Sequence, residues 1–241
     1  MGLYIITHKH IENWNTYFYT PIHVSCNEND VQIQVKDYYP ELAINNKYWN
    51  ELSAQMCIWK YDHDDIKGQV QYSCIPDLDP QDIVNILKTK DFIVHTERIY
   101  PNIKMQFCHE HDSNGELWNV IIDILHEKGY PDDLINKWND YTYIFCRNNF
   151  ICKAIDFDKY SEWVFDILNK FTNRMGFTSM ENIMEWVEKN PCNRQNLIKD
   201  NYRIAGYLGE RLFTLYLIEK YGDDVFNRIY CPNYITSPKI V

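Results

Sequence analysis

Residues 201–221, NYRIAGYLGERLFTLYLIEKY, carry an uninterrupted helical pattern. Ile204, Leu208, Leu212 and Leu215 fall at spacings that place them on one side, and Tyr207, Phe213 and Tyr216 widen that apolar face. Gly206 and Gly209 lie inside it, although a glycine costs a helix interior ~1 kcal/mol relative to alanine. That cost makes sense where another backbone or a ligand passes close by. Arg203, Glu210 and Arg211 are the charges in the first half of this helix. Taken alone the stretch reads as a packing helix with a solvated ion pair; the segments upstream give those charges a second reading.

Residues 3–8, LYIITH, form a short apolar strand ending in polar residues, and in α/β folds ligands bind at the carboxyl ends of strands. Thr7, His8 and Lys9 therefore stand either at a ligand edge or at an ordinary strand-to-loop junction. PIHVSC (21–26) predicts the next strand. In NNKYWNELSAQMCIWKY (45–61), Asn45 or Asn46 is placed to cap one helix, with Trp49, Leu52, Met56 and Trp59 at helical spacing and Glu51 on or near that stripe. IKGQVQYSCIP (66–76) then reads as a strand. Asp77 and Asp79 follow it as an Asp-x-Asp. Alternating carboxylates in a loop can hold a divalent cation that in turn holds a pyrophosphate. The same pair, opening DPQDIVNILK, serves equally as turn residue and helix cap.

Farther along, DFIVH (91–95) predicts a strand, 96–112 an irregular stretch, LWNVIIDILHEK (117–128) a helix and GYPDDLINKWNDY a connection. YTYIFCRNNFICKA (141–154) reads as strand interrupted at Arg147, Asn148 and Asn149. FDKYSEWVFDILNKF (157–171) is a second strong helix, 172–200 a polar loop, and the tail from Asp223 a segment that wraps back over the domain. CHEHD (108–112) is not a zinc motif, because adjacent residues point apart and no second half is suitably spaced.

At 241 residues, with 45% hydrophobic and 24% charged, the chain suits one α/β domain. Lys and Arg total 24 against 34 Asp and Glu, a net charge of -10, with no basic run. That balance speaks against nucleic acid, where phosphate neutralisation dominates affinity, but leaves room for a small anion held locally. The 8 cysteines (Cys26, Cys57, Cys74, Cys108, Cys146, Cys152, Cys192 and Cys231) include no CxxC pair and read as reduced thiols. LYII is too short for a secretory signal and no stretch approaches a membrane span. A cytoplasmic protein is expected.

Four blocks together resemble a known family, the glycosyltransferase-like domain of capsular-polysaccharide and lipopolysaccharide gene clusters, also seen in large viruses. IITHK resembles its strand-one block. NNKYWNELSAQMCIWKY followed by GQVQY resembles its Asn, Tyr, Glu-Leu-Thr, Trp-Lys and Gly-x-x-His-Tyr series. CRNNFICKAIDFDKYSEWVFDIL and RIAGYLGERLF resemble its last two blocks. One departure stands out: after the glycine the family has His-Tyr-Arg-Arg where this chain has Gln71, Tyr72, Ser73 and Cys74.

The resemblance implies a single GT-A-like α/β domain over 1–241, with a central mostly parallel sheet flanked by helices. Its nucleotide half would span about 1–95 and its acceptor half about 96–241. It implies transfer of a sugar from a nucleotide diphosphate, most simply a UDP-sugar, to a saccharide or glycan acceptor. Carried over residue by residue, His8, Lys9, Asn46 and Glu51 lie near the nucleotide, and Tyr72, Asn148, Arg203, Glu210 and Arg211 line the transfer site. The leaving diphosphate gains charge in such a reaction, which Mn²⁺ or Mg²⁺ on Asp77 and Asp79, or Arg203 and Arg211, can offset. An inverting route also needs a carboxylate base, for which Glu210 is the candidate, or else Glu210 only orients the arginines. Two other readings stay open: a nucleotide-sugar or glycan-binding module without turnover, and a structural partner in glycan assembly.

Overall fold

The strand that opens the chain alternates its faces. Leu3 and Ile5 join a small apolar cluster with Val70, Ile83 and Ile151, whereas Ile6 packs into a much larger one with Leu52, Phe150 and Leu212. This period-two pleat runs through the molecule, whose computed structural model describes residues 1–8, 18–24, 33–190 and 202–235, with only the backbone described at 43 and 44. Lys9 and Cys26 thus lie outside the described residues.

Nine strands are described: β1 (Gly2–Thr7), β2 (Thr20–His23), β3 (Ile33–Gln34), β4 (Ile66–Gln71), β5 (Ile75–Pro76), β6 (Phe92–Arg98), β7 (Tyr143–Lys153), β8 (Ile229–Tyr230) and β9 (Tyr234–Ile235). Seven form one sheet in the order β3-β2-β1-β4-β7-β6-β8, and β5 pairs with β9 apart from it. β1 runs parallel to β2 and β4, β2 to β3, and β6 to β8. Only β7 runs against its neighbours β4 and β6. The expected mostly parallel α/β sheet is present. So is the returning tail, which supplies β8 and β9.

Three helices pack the larger face. They are Glu51–Tyr61, Ala154–Met175 and Ile204–Tyr221, the last being the helix read first in the sequence. It is not half-exposed as an amphipathic stripe would be. Ala205, Arg211, Thr214 and Leu217 are buried as well as Ile204, Leu208, Leu212 and Leu215, because β7 covers one side and neighbouring helices the others. The glycines make this possible. A Cβ on Gly206 would stand 3.0 Å from Asn50 Cβ, and one on Gly209 would stand 3.1 Å from Leu52 Cδ1 and 3.3 Å from Asn148 Oδ1.

Several expectations need correction. The helix expected over 45–61 breaks at Asn50, whose φ of 53° lies in the left-handed region, into Asn46–Trp49 and Glu51–Tyr61, and neither piece has a side-chain cap. Residues 96–112 are not irregular: Ile103–His111 is a helix, its first turn capped by Asn102 Oδ1 accepting from Met105 N at 2.9 Å. Its apolar signal is thin, since only Ile103, Phe107 and His111 are buried. Asp132–Asn139 and Met180–Lys189 are likewise helices with two buried residues each, Ile135 and Trp138, and Ile183 and Val187. The interruption at Arg147–Asn149 is a kink inside one continuous strand. Arg147 and Asn148 have φ of 63° and 48°, and the β6–β7 register shifts opposite them between Val94 and Thr96.

Gly209→Leu is expected to destabilise the fold by roughly 1–3 kcal/mol in denaturant titration, overpacking outweighing the gain in helix propensity. A variant more stable than the parent would show that the glycine is not there for the contact with Leu52 and Asn148.

Candidate functional site

The carboxyl ends of β1, β2 and β4 open onto a cleft of about 390 Å³, within the range of small-molecule sites. Thr7 and His8 reach it from the end of β1, Val24 from the end of β2, and Tyr72 from the end of β4. The neighbouring ends are tied by backbone bonds, Val24 N to Thr7 O at 3.0 Å and Tyr72 N to Ile6 O at 3.1 Å. The His8 and Tyr72 rings meet edge to face with centroids 5.3 Å apart. Asn46, Lys47, Asn50 and Glu51 line the opposite wall at the break between the two helix pieces, and Arg203 closes it. A larger hollow of about 600 Å³ lies near the other end of the sheet, against Ile66 and Lys153, with mostly apolar walls. The cleft at the strand ends is the one where polar groups converge.

Two helices start at this cleft. Asn50 precedes Glu51–Tyr61 and Arg203 precedes Ile204–Tyr221, and neither residue makes a side-chain cap bond. The first N–H groups of a helix have no partner within it, and the aligned peptide dipoles place partial positive charge there. The left-handed backbone at Asn50 aims the longer piece of the broken helix in this direction, which is why one continuous helix would not have made the same wall.

Glu51 is 8% exposed, and Gln71 Nε2 donates a hydrogen bond to its Oε1. Burial pushes its carboxyl up to about 7. Its own backbone N–H opposes that shift, the charge of Glu210 adds to it, and Gln71 and Arg203 work against it. Burial likewise raises the Tyr72 phenol, with Arg203 opposing. Those influences put Glu51, Tyr72 and Arg203 in one electrostatic neighbourhood.

Glu210, Arg211 and Asn148 stand behind this wall rather than along it. Glu210 accepts from Arg147 N at 2.6 Å and from Arg211 Nη1 at 2.8 Å; burial raises its carboxyl, and Arg211 and the Arg147 N–H pull it back down. Arg211, 3% exposed, also donates to Tyr207 O at 3.0 Å and to Gln106 Oε1 at 2.6 Å, which ties the last helix to Ile103–His111. Asn148 Nδ2 donates to Gly206 O at 3.3 Å, and Asn148 O accepts from Gln69 Nε2 at 2.8 Å. The Gln69 amide continues through Gln55 to Ser161. A buried polar layer thus links β4, the kink of β7 and three helices.

Asp77 and Asp79 are exposed and do not line the cleft. Asp79 forms a reciprocal cap with Asp82: its Oδ1 accepts from Asp82 N at 2.8 Å, and its own N donates to Asp82 Oδ2 at 3.2 Å. With Asp79 occupied as a cap, the pair does not fit a Mn²⁺ or Mg²⁺ site serving this cleft.

Thr7, His8, Asn46, Glu51, Tyr72 and Arg203, named from sequence, are thus brought together, while Lys9 lies outside the described residues. Lys47 and Asn50 belong to the same wall and were not singled out. The one signal for them was their place beside Asn46 and Glu51. Gln71, a departure from the family pattern, turns out to hold Glu51.

Among curated proteins no significant match is found. Among solved structures, the chain is similar to the apo structure of the bifunctional glycosyltransferase WbbM, with a TM-score of 0.72 and 19% identity over 100% of this chain and 46% of that one. The chain therefore spans less than half of that protein's length, and the likeness bears out the expected α/β fold with a mostly parallel central sheet flanked by helices. The model of a domain of unknown function, DUF4422, matches residues 2–221, and the chain belongs to that family.

Proposed function

We propose that the protein transfers a sugar from a nucleotide diphosphate, a UDP-sugar, to a saccharide hydroxyl, with the donor diphosphate bound in the cleft at the ends of β1, β2 and β4. One observation carries this reading. Two helix starts, Lys47 and Arg203 converge on a single cleft in a chain whose net charge is -10. That is a built site for an anion in an otherwise acidic protein. The same groups stabilise a diphosphate that gains charge as it leaves. The His8–Tyr72 wall offers ring faces to the base or the sugar.

Glu51 is the carboxylate we assign to proton transfer. It lines the cleft, and a carboxyl near 7 is matched to accepting a proton from an acceptor hydroxyl at neutral pH. Glu210 is assigned a positioning role: it holds the β7 kink through Arg147 N and anchors Arg211, and its charge helps keep the Glu51 carboxyl high. A binding module without turnover is the second reading, motivated by Gln71, which stands where the family has histidine and is bonded to Glu51. Saturable binding of a donor with no transfer or hydrolysis across a full panel of nucleotide sugars would favour it.

Three outcomes are expected. Glu51→Gln should lower kcat about 10²–10⁴-fold while nucleotide affinity is kept, and the parent's rate should rise with pH to a plateau through an apparent pKa near 7. The same variant tests linkage. A carboxyl raised from 4.5 to about 7 on folding binds its proton more tightly in the native state. The parent should therefore lose stability as pH rises through that window, by up to ~3 kcal/mol, and Glu51→Gln should lose correspondingly less, the remainder coming from other raised carboxyls such as Glu210. Second, Arg203→Ala should weaken UDP binding measured by calorimetry, by roughly 1.5–3 kcal/mol for a charge-assisted contact; unchanged affinity would move the diphosphate elsewhere. Third, Asp79→Ala should cost ~1 kcal/mol of stability through the lost cap and leave transfer unaltered.

A further inference from the structure

The helix Glu51–Tyr61 has the strand-end cleft at its start and a second hollow at its other end, roughly 15 Å away along its axis. This hollow has a volume of about 100 Å³. Buried apolar side chains, Ile22 and Ile58 among them, close its floor, and Tyr4, Tyr38 and Tyr61 stand around it. Tyr38 and Tyr61 are 42% and 53% exposed and pack together with centroids 4.7 Å apart, so they form the rim. Asp62, which ends the helix, is the one charged residue of the lining and is only 8% exposed.

A carboxylate buried to this degree ordinarily faces a cation. Asp62 has none among the described residues. Its Oδ1 accepts from Asp64 N at 2.7 Å. Its other polar neighbour is the Tyr4 phenol, raised by burial first and then by the charge and hydrogen bonding of Asp62. Both neighbours are neutral. The basic groups close by in the chain are engaged elsewhere: the Met1 amino group lies 3.0 Å from Asp64 Oδ1, and Lys60 Nζ lies over the Trp59 ring, 3.3 Å from its centroid. Room for the carboxylate comes from the strand itself, since a Cβ on Gly2 of β1 would collide with it.

We propose that this hollow binds the methylated ammonium head of a small organic cation, with the head against Tyr4, Tyr38 and Tyr61 and Asp62 as its counter-ion. Aromatic faces attract cations through the ring quadrupole, and a carboxylate set in a low-dielectric wall adds a full charge of the right sign. Methylation follows from the lining. A primary ammonium carries three N–H donors that each need an acceptor, whereas Asp62 is already engaged by the Asp64 amide and Tyr4 and offers charge more than open lone pairs. N-methyl groups suit the apolar floor instead. At about 100 Å³ the hollow is smaller than the ~300 Å³ of sites that enclose a whole ligand, so it seats a head group whose substituent passes the tyrosine rim. The site lies away from the cleft and does not depend on what the cleft binds.

The full chain is titrated at constant ionic strength with choline, and separately with its neutral isostere in which a tert-butyl group replaces the trimethylammonium, and both are followed by NMR. Saturable binding of a single choline per chain is expected, with nuclear Overhauser contacts from its N-methyl protons to the rings of Tyr38 and Tyr61. The isostere should bind at least about 10-fold more weakly, since it keeps the shape and loses the charge. Tyr61→Leu, a change at the exposed rim, should weaken choline binding about 2–30-fold. Asp62→Asn keeps an oxygen for the Asp64 amide and removes the charge, and should weaken it by about 10-fold or more. An absence of saturable binding, equal affinity for the isostere, or unchanged affinity in Asp62→Asn would overturn the proposal and leave an apolar hollow filled by water only. The ring contacts and the isostere comparison are read on the unaltered chain, so misfolding of a variant cannot obscure the result.

Discussion

Backbone contact between the last helix and the break at Asn50 is the constraint on which the remaining architecture depends. A Cβ on Gly206 would crowd Asn50, and one on Gly209 would crowd Leu52 and Asn148, so a larger residue at either position makes its neighbours give way. Because the two helices approach this closely, their starts open on the same cleft and bring Arg203 opposite Glu51. Three residues with left-handed backbone, Asn50, Arg147 and Asn148, are gathered around this contact. Strained conformations persist only where surrounding structure fixes them, and here packing from both sides does so.

The polar layer beneath the cleft is the second element. Gln69, Gln55, Asn148 and Ser161 are buried, and unpaired polar groups in such a place are costly. Their mutual bonds offset part of that cost and fix the geometry of the layer, while Gln69 Oε1 and Asn148 Oδ1 accept no hydrogen bond among the described residues. Gln71 extends the layer to Glu51, and Asn149 Oδ1 accepts from Gln71 N at 2.7 Å. The position of the carboxylate is therefore set by the strands beneath it rather than by its own helix alone. The charge of Glu210 adds to the burial that raises the Glu51 carboxyl, and that of Glu97 to the burial that raises Glu210, with Arg203 and Arg211 set against them.

The strand that reverses direction has consequences on both of its faces. The kink of β7 turns Asn148 inward to the helix and gives Glu210 a backbone donor, while Cys146 beside it faces His95 across the β6 register shift. One irregularity thus bears on the cleft at the strand ends and on the cluster of His95 and Cys146. The tail closes that cluster by pairing Tyr234 with Pro76 in the β5–β9 ribbon.

Periodicity alone was enough for the strong elements. LYIITH, DFIVH, LWNVIIDILHEK and the helix over 204–221 announce themselves because their apolar residues recur with the pleat or the helical turn. The cap at Asp79 was legible because a capping box is local. The helices at Ile103–His111, Asp132–Asn139 and Met180–Lys189 were not, since each buries only two or three side chains and leaves little pattern. The glycines at 206 and 209 signalled a close approach without saying to what. Which of the charges faces the cleft was beyond the sequence. Arg203 and Arg211 look equivalent in the motif, yet one lines the cleft and the other is buried against Gln106, because the facing elements come from segments about 100 to 150 residues away. Sequence determined which residue types were available at each end of the sheet. Only the packing of distant backbones decided which of them meet, since helical and strand periods fix a side chain's direction on its own element but not what stands opposite it.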